Sequence, residues 1–271
     1  RFKFVPNAKC FLHEHGYVNY PVQGFTAPVE SLAEHIELNC SKAISGFMHS
    51  YNKRVWQEGL TRVSASWLFG RLKGKMKAQG VSEKYYTFAG GIEAMLENMD
   101  RVTKELGYCD YFTDKVTSIN YKNKIVFSAS GQLQYDSLYS TIDLRDMCKL
   151  VPEGIGFSEL KCSRLFVWDV VVNKYPISHD KMHWAYYDDS VLFHHIVFPS
   201  HVNPYVVRNP FNQTSMQIEF MILPGAEEKI IEYIESGEVY KELERVGFVL
   251  NKEDIDYSYY DIFDAYPVPI I

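Results

Sequence analysis

The chain has 271 residues, 46% of them hydrophobic, and 34 acidic against 28 basic residues give it a net charge of −6. This composition suits a packed protein of one large or two modest domains and offers no basic patch to a nucleic acid. No apolar run reaches the roughly 18 residues of a membrane span. The five widely spaced cysteines contain no CxxC pair, which argues against a zinc cluster or a disulfide framework and fits a reducing cytoplasm.

Residues 2–22 alternate polar and apolar side chains around Glu14-His15-Gly16, the pattern of a hairpin leading into Asn19-Tyr20-Pro21. From about residue 28 to 72 the period turns helical. Ser31 stands three residues before Glu34 as a cap, and Leu32, Ile36, Ile44, Phe47 and Met48 recur at helical spacing. Residues 71–80 are basic and glycine-bearing, which predicts an exposed loop. Residues 85–91 then read as a strand and a tight Gly90-Gly91 turn. Ile92, Met95, Leu96, Met99, Val102 and Leu106 continue as an amphipathic helix that Gly107 ends.

Strands over 111–120, 124–129 and 134–142, turned at Ser130-Gly131, predict a small meander. Further strands are expected over 162–173, 183–187, 191–198 and 215–223, followed by one helix from 226 to about 246. The fold class is α+β, with an antiparallel sheet and helices.

Local chemistry is sparse. Cys10, His13 and His15 supply at most three ligands on a hairpin, so no metal is expected. His194 and His195 are neighbours in an apolar strand, where alternate side chains take opposite faces, so one of them reads as a core histidine. Gly90-Gly91 precedes a helix but lacks the spacing of GxGxxG or of a P-loop. Aromatic and amide side chains gather at element ends instead: Tyr20 with Gln23, then Tyr51, Asn52 and Trp56, then Trp67 and Arg71. Rings of this kind suit a planar base and Arg71 suits a phosphate, against the alternative that the tryptophans are core and Arg71 is surface.

Several segments in order resemble the eukaryotic-type UDP-galactopyranose mutases. Tyr20-Pro21-Val22-Gln23 is similar to the family's YPFQ, and Phe47-Met48-His49-Ser50-Tyr51-Asn52-Lys53-Arg54-Val55-Trp56 to its F-M-x-x-Y-N-x-x-V-W. Trp67-Leu68-Phe69-Gly70-Arg71 follows its W-L-x-x-R. Tyr135-Asp136-Ser137-Leu138-Tyr139-Ser140-Thr141 resembles its Y-x-x-L-x-S-T strand, and His183-Trp184-Ala185-Tyr186-Tyr187 its W-x-Y-F. Phe193 to Pro204 is similar to its F-Y-R-x-x-x-F-S-N-x-S-P, and Phe263-Asp264-Ala265-Tyr266-Pro267 to its late aromatic-Pro element.

The resemblance implies part of a flavoprotein of the amine-oxidase superfamily, in which reduced flavin attacks the anomeric carbon of a UDP-sugar. It implies that Tyr20, Gln23, Asn52 and Trp56 hold the uridine and that Arg71, Tyr186 and Tyr266 meet the diphosphate. His195 would take a catalytic place, and Gly90, Gly91, His195 and Asn203 would lie toward FAD. By the same reading residues 1–27 are strands leading into a helical substrate domain of 28–84. Residues 85–142 are then a partial Rossmann-like FAD domain and 143–271 the substrate-facing antiparallel sheet with its return helix. His195 stands where the family has an arginine, and Asp261-Ile262 where it has another. No GxGxxG unit precedes Phe2 and no flavin segment follows Pro267, so FAD is expected in a longer protein, and an open sheet edge favours a homo-oligomer. Alternatives are an FAD-dependent amine or protoporphyrinogen oxidase and a non-catalytic module that binds a nucleotide-sugar or a protein.

Overall fold

The computed structural model describes residues 2–5, 30–39, 42–66, 90–107, 109–151, 160–175 and 183–268. In chain order these form β1 (Phe2–Val5), α1 (Leu32–Asn39), α2 (Lys42–Trp56), α3 (Gly91–Leu106), β2 (Val116–Asn120), β3 (Ile125–Ser128) and β4 (Gly131–Gln134). There follow α4 (Leu144–Leu150), β5 (Cys162–Val172), β6 (Trp184–Tyr187), β7 (His195–Val197), α5 (Pro199–Val202), β8 (Thr214–Ile222), α6 (Glu227–Glu235), α7 (Glu238–Arg245) and β9 (Ile255–Pro267). The architecture is α+β, and the chain divides into a unit of residues 1–96 with 162–271 and a unit of residues 97–161.

The first unit is built on a six-stranded sheet of order β1-β6-β7-β8-β5-β9. Every pairing is antiparallel except the parallel pair β1–β6. Strand alternation gives it two unlike faces. One face carries Phe166, Trp168, Val170 and Val172 of β5 beside Met216, Ile218 and Phe220 of β8, Ile196 of β7 and Ala185 of β6. These bury a common core with Ile230 of α6 and with Val239 and Leu243 of α7. The expected single return helix is two helices, because Gly237 takes φ +84° and its amide bonds back to the Ile234 carbonyl, ending α6 in a left-handed turn.

The paired helices α1 and α2 form a second core in the same unit. Ser31 caps α1 as its sequence predicts, its Oγ accepting from the Glu34 amide at 3.3 Å. Leu32, Ala33 and Ile36 then pack with Val55, Trp56, Leu60, Val63 and Val268. β9 is a strand that periodicity does not announce. It lies at the sheet edge, is exposed along most of its length, and so mixes tyrosines and aspartates without an apolar–polar alternation.

In the second unit β2, β3 and β4 form the expected antiparallel meander. Its third strand starts at Gly131 rather than at 134, because Ser128 pairs directly with Gly131 across a two-residue turn. Asp114 braces that turn by accepting from the Ser130 amide at 3.0 Å and from the Ser130 hydroxyl; a bond from the Ser128 hydroxyl first, then these two, hold its carboxyl down to about 2. The helix expected after Gly90-Gly91 is present as α3 and ends at Gly107, with φ +67°. No helix among the described residues is long and apolar enough to cross a membrane.

Candidate functional site

The face of the six-stranded sheet opposite α6 and α7 is the chemically distinctive one. The strand register brings Asp261, Val167, Glu219, His195 and Tyr186 into one row across β9, β5, β8, β7 and β6. The adjacent row is Tyr259, Asp169, Gln217, Val197 and Trp184. Beyond the first row, Leu165 and Met221 close the face with a small apolar cluster shared with Val167. On this face the strand positions of β5 to β9 carry three carboxylates and neither lysine nor arginine.

His195 is the centre of the first row. Its Nδ1 lies 3.0 Å from Glu219 Oε2, and its ring lies parallel to Tyr186 with centroids 4.4 Å apart. Its Nε2 is buried and has no hydrogen-bond partner. In the next row the Gln217 Nε2 donates to Asp169 Oδ1 at 3.1 Å, while burial, helped by Glu219 and Asp261, pushes the Asp169 carboxyl above its ordinary range.

His194 is the core histidine of the pair, and it too is fixed by residue 219. Its backbone amide and its Nδ1 both reach the Glu219 carbonyl, at 2.9 and 2.8 Å. Burial first, then its basic neighbours His195 and Arg54, hold its imidazole well below the ordinary range. Lying just before β7 begins, it is not carried to the far side of the sheet, and the two imidazole centroids are 6.0 Å apart.

α2 supplies the groups that meet this face. The Tyr51 ring stands edge-on to Tyr186 at 5.5 Å and tilted to His194 at 6.0 Å. Burial first, then Tyr186, Tyr266 and Glu219, push its phenol above the ordinary value, so it stays protonated. One turn on, the Arg54 guanidinium donates to the carbonyls of Asp188 (2.5 Å), Val191 (3.0 Å), Leu192 and Phe193 (3.3 Å), gripping the connection between β6 and β7. Ser50 Oγ accepts from the Asp189 amide at 3.0 Å, and Glu242 of α7 accepts from the Leu192 amide at 2.7 Å. The loop that delivers His194 and His195 is thus held from both sides.

The residues anticipated from sequence fall into four groups. Tyr186 and His195 stack against each other, and Trp56 and Tyr266 meet edge-on at 6.2 Å, Trp56 as part of the α1–α2 core and Tyr266 as a 41% exposed ring. Asn52 and Asn203 are buried in structural bonds: Asn52 Nδ2 donates to the Met48 carbonyl at 2.8 Å, and Asn203 Oδ1 accepts from the Tyr205 amide at 3.1 Å. Gly90 and Gly91 open α3; a Cβ on Gly90 would meet Ala94 Cβ at 2.6 Å, so the helix itself requires this glycine. Tyr20, Gln23, Trp67 and Arg71 lie outside the described residues, as do Cys10, His13 and His15. Among the described residues no group of three or more His, Cys, Asp or Glu is arranged to hold a metal ion.

Arg54 and Glu219 are the members that sequence patterns leave unmarked. Glu219 had a signal, since Gln217 and Glu219 are the polar alternates within the otherwise apolar stretch from Met216 to Ile222. Arg54 had none beyond its place in the aromatic segment.

No protein-family model matches the chain, and no curated protein sequence does either. Solved structures do match by fold. A reduced UDP-galactopyranose mutase superposes with a TM-score of 0.69 at 19% identity, covering 92% of this chain and 59% of its own. An oxidoreductase from Methanosarcina mazei gives 0.62 at 11% identity over 90% of this chain and 58% of its own. A putrescine oxidase double mutant gives 0.54 at 9% identity over 85% and 53%. The fold is thus similar to part of each of these structures, and the chain spans a little over half the length of each.

Proposed function

We propose that this chain forms the substrate-facing part of a flavin-dependent enzyme of the UDP-galactopyranose mutase kind, with UDP-sugar as substrate and FAD as cofactor. The supporting observation is that three segments distant in sequence meet at one sheet face. Tyr51 of α2 packs on Tyr186 of β6, and Trp56 backs the exposed Tyr266 at the end of β9. In this reading Tyr186 and Tyr266 face the diphosphate, His195 faces the sugar, and Arg54 keeps the His195 loop in place. Gly90 is accounted for by its own helix, and the described residues do not by themselves complete a dinucleotide cradle. In this reading FAD is held by residues beyond those described, and the chemistry assigned to the described residues is binding and orientation.

The test is purification of the full-length protein. Flavin absorbance, together with interconversion of UDP-galactopyranose and its furanose form under reducing conditions, is the expected result; protein free of flavin defeats the reading. A second reading, oxidation of an amine, is favoured by the carboxylates Asp169, Glu219 and Asp261 on the same face, which attract a cation. Oxygen consumption with an amine such as putrescine, and no mutase turnover, would select it.

A further inference from the structure

His195 is held through one ring nitrogen and not through the other. Glu219 Oε2 lies 3.0 Å from Nδ1, while the buried Nε2 meets no hydrogen-bonding group. An ionised carboxylate can only accept, so Nδ1 carries the hydrogen of that bond, and the neutral ring keeps its lone pair at Nε2. The parallel Tyr186 ring at 4.4 Å restrains the imidazole plane. Buried polar atoms without partners are rare in folded proteins and ask for a functional explanation.

The surroundings define what Nε2 can receive. The sheet face carries Asp169, Glu219 and Asp261 without a lysine or arginine at the strand positions of β5 to β9. The Arg54 guanidinium is committed to four loop carbonyls. His194 is bonded through Nδ1 to the Glu219 backbone, and burial keeps it neutral. A lone pair in this electron-rich setting matches a hydrogen-bond donor and repels an oxyanion.

We propose that His195 Nε2 accepts a hydrogen bond from a ligand hydroxyl, with Glu219 as the positioning residue that fixes the tautomer. This rests on the reading of this sheet face as the ligand side. The hydroxyl keeps its proton and shares it with the Nε2 lone pair, so no new charge arises beside the three carboxylates. Where an arginine would offer only donors, histidine here offers an acceptor, so the atom it serves is a sugar hydroxyl and not a phosphate oxygen.

The test is a long-range proton–nitrogen correlation spectrum of protein labelled at the histidine ring nitrogens, with His195 assigned by its loss in His195→Gln. The probes are methyl galactoside, a neutral polyol, and inorganic pyrophosphate. The expected wild-type pattern is the Nδ1–H tautomer, with an Nε2 resonance that moves on addition of galactoside. Glu219→Gln, whose amide can donate as well as accept, is expected to populate the Nε2–H tautomer and to weaken galactoside binding about tenfold. The backbone bond to His194 survives in that variant. An Nε2–H tautomer in the wild type overturns the proposal without recourse to any variant. So does an Nε2 resonance that galactoside leaves in place, or one that pyrophosphate moves instead. A full-length protein without flavin would defeat the proposed enzyme class while leaving the tautomer where it is, so the two failures are distinguishable.

Discussion

Replacing Arg54 with methionine keeps most of the side chain's length and removes four hydrogen bonds to the connection between β6 and β7. The Leu192 carbonyl can turn to water, because that residue is exposed, but the bonds to Asp188, Val191 and Phe193 are part-buried. At a net value of about 1 kcal/mol each, their loss comes to about 3 kcal/mol. For a chain of this size that corresponds to a fall in Tm of roughly 6–12 °C. Burial lowers the Arg54 pKa while Asp189, Asp188 and Glu242 oppose the shift, so the cation is retained by these neighbours and a neutral substitute is not a like-for-like exchange. Arg54→Lys keeps the charge but replaces the planar fork with a point donor, which should recover about half of the loss. Urea unfolding followed by tryptophan fluorescence is the assay, since all four tryptophans fall in the unit of residues 1–96 and 162–271. A loss below about 1 kcal/mol for Arg54→Met, or equal losses for methionine and lysine, would refute the clamp.

Three further outcomes follow from the same unit. Because burial depresses the folded pKa of His194, the stability it contributes is present above the ordinary imidazole value and is lost as pH falls toward the depressed one; His194→Gln should flatten the decline in urea midpoint between about pH 7 and pH 5. Asp169 has the opposite sign: its folded pKa is raised, so its contribution is most favourable below the ordinary carboxyl value and is lost as pH rises through the raised one. Asp169→Asn keeps an oxygen for the Gln217 amide and should stabilise the protein at neutral pH but not near pH 3; a variant less stable than wild type at neutral pH would contradict this. Gly237→Ala has room, its nearest neighbour being Tyr240 Cδ2 at 3.7 Å, yet it must adopt φ +84° and should cost about 1–2 kcal/mol in urea unfolding.

What the sequence reveals and what it hides follow burial. β5 and β8 are legible because long apolar runs with β-branched and aromatic residues have few other readings, and α1 because Ser31 and Glu34 mark its start. β9 is hidden because an exposed edge strand has no face to keep apolar. The split between α6 and α7 is hidden because the apolar stripe of Ile230, Val239 and Leu243 runs past Gly237, and only the backbone angle there breaks it. Asn52 and Asn203 matched motif positions, yet Asn52 Nδ2 donates to a helix carbonyl four residues back and Asn203 Oδ1 accepts from a turn amide two residues on, local uses to which short polar side chains are generally prone.

The site itself depends on a quantity that no single segment carries, the register between β7 and β8. His195 pairs with Glu219, 24 residues further on, across a ladder of three residue pairs. Shifting that ladder by one residue would set Ile218 or Phe220 against His195 and turn Glu219 into the core under α6 and α7. Burial of Phe220, Ile218 and Met216 therefore does more than stabilise the sheet. A one-residue slip would expose all three and bury a carboxylate, and that cost selects the register which puts Glu219 beside His195. The motif around residues 193–204 draws attention to the histidine, but the group that decides which of its nitrogens can act is placed there by the packing of the opposite face.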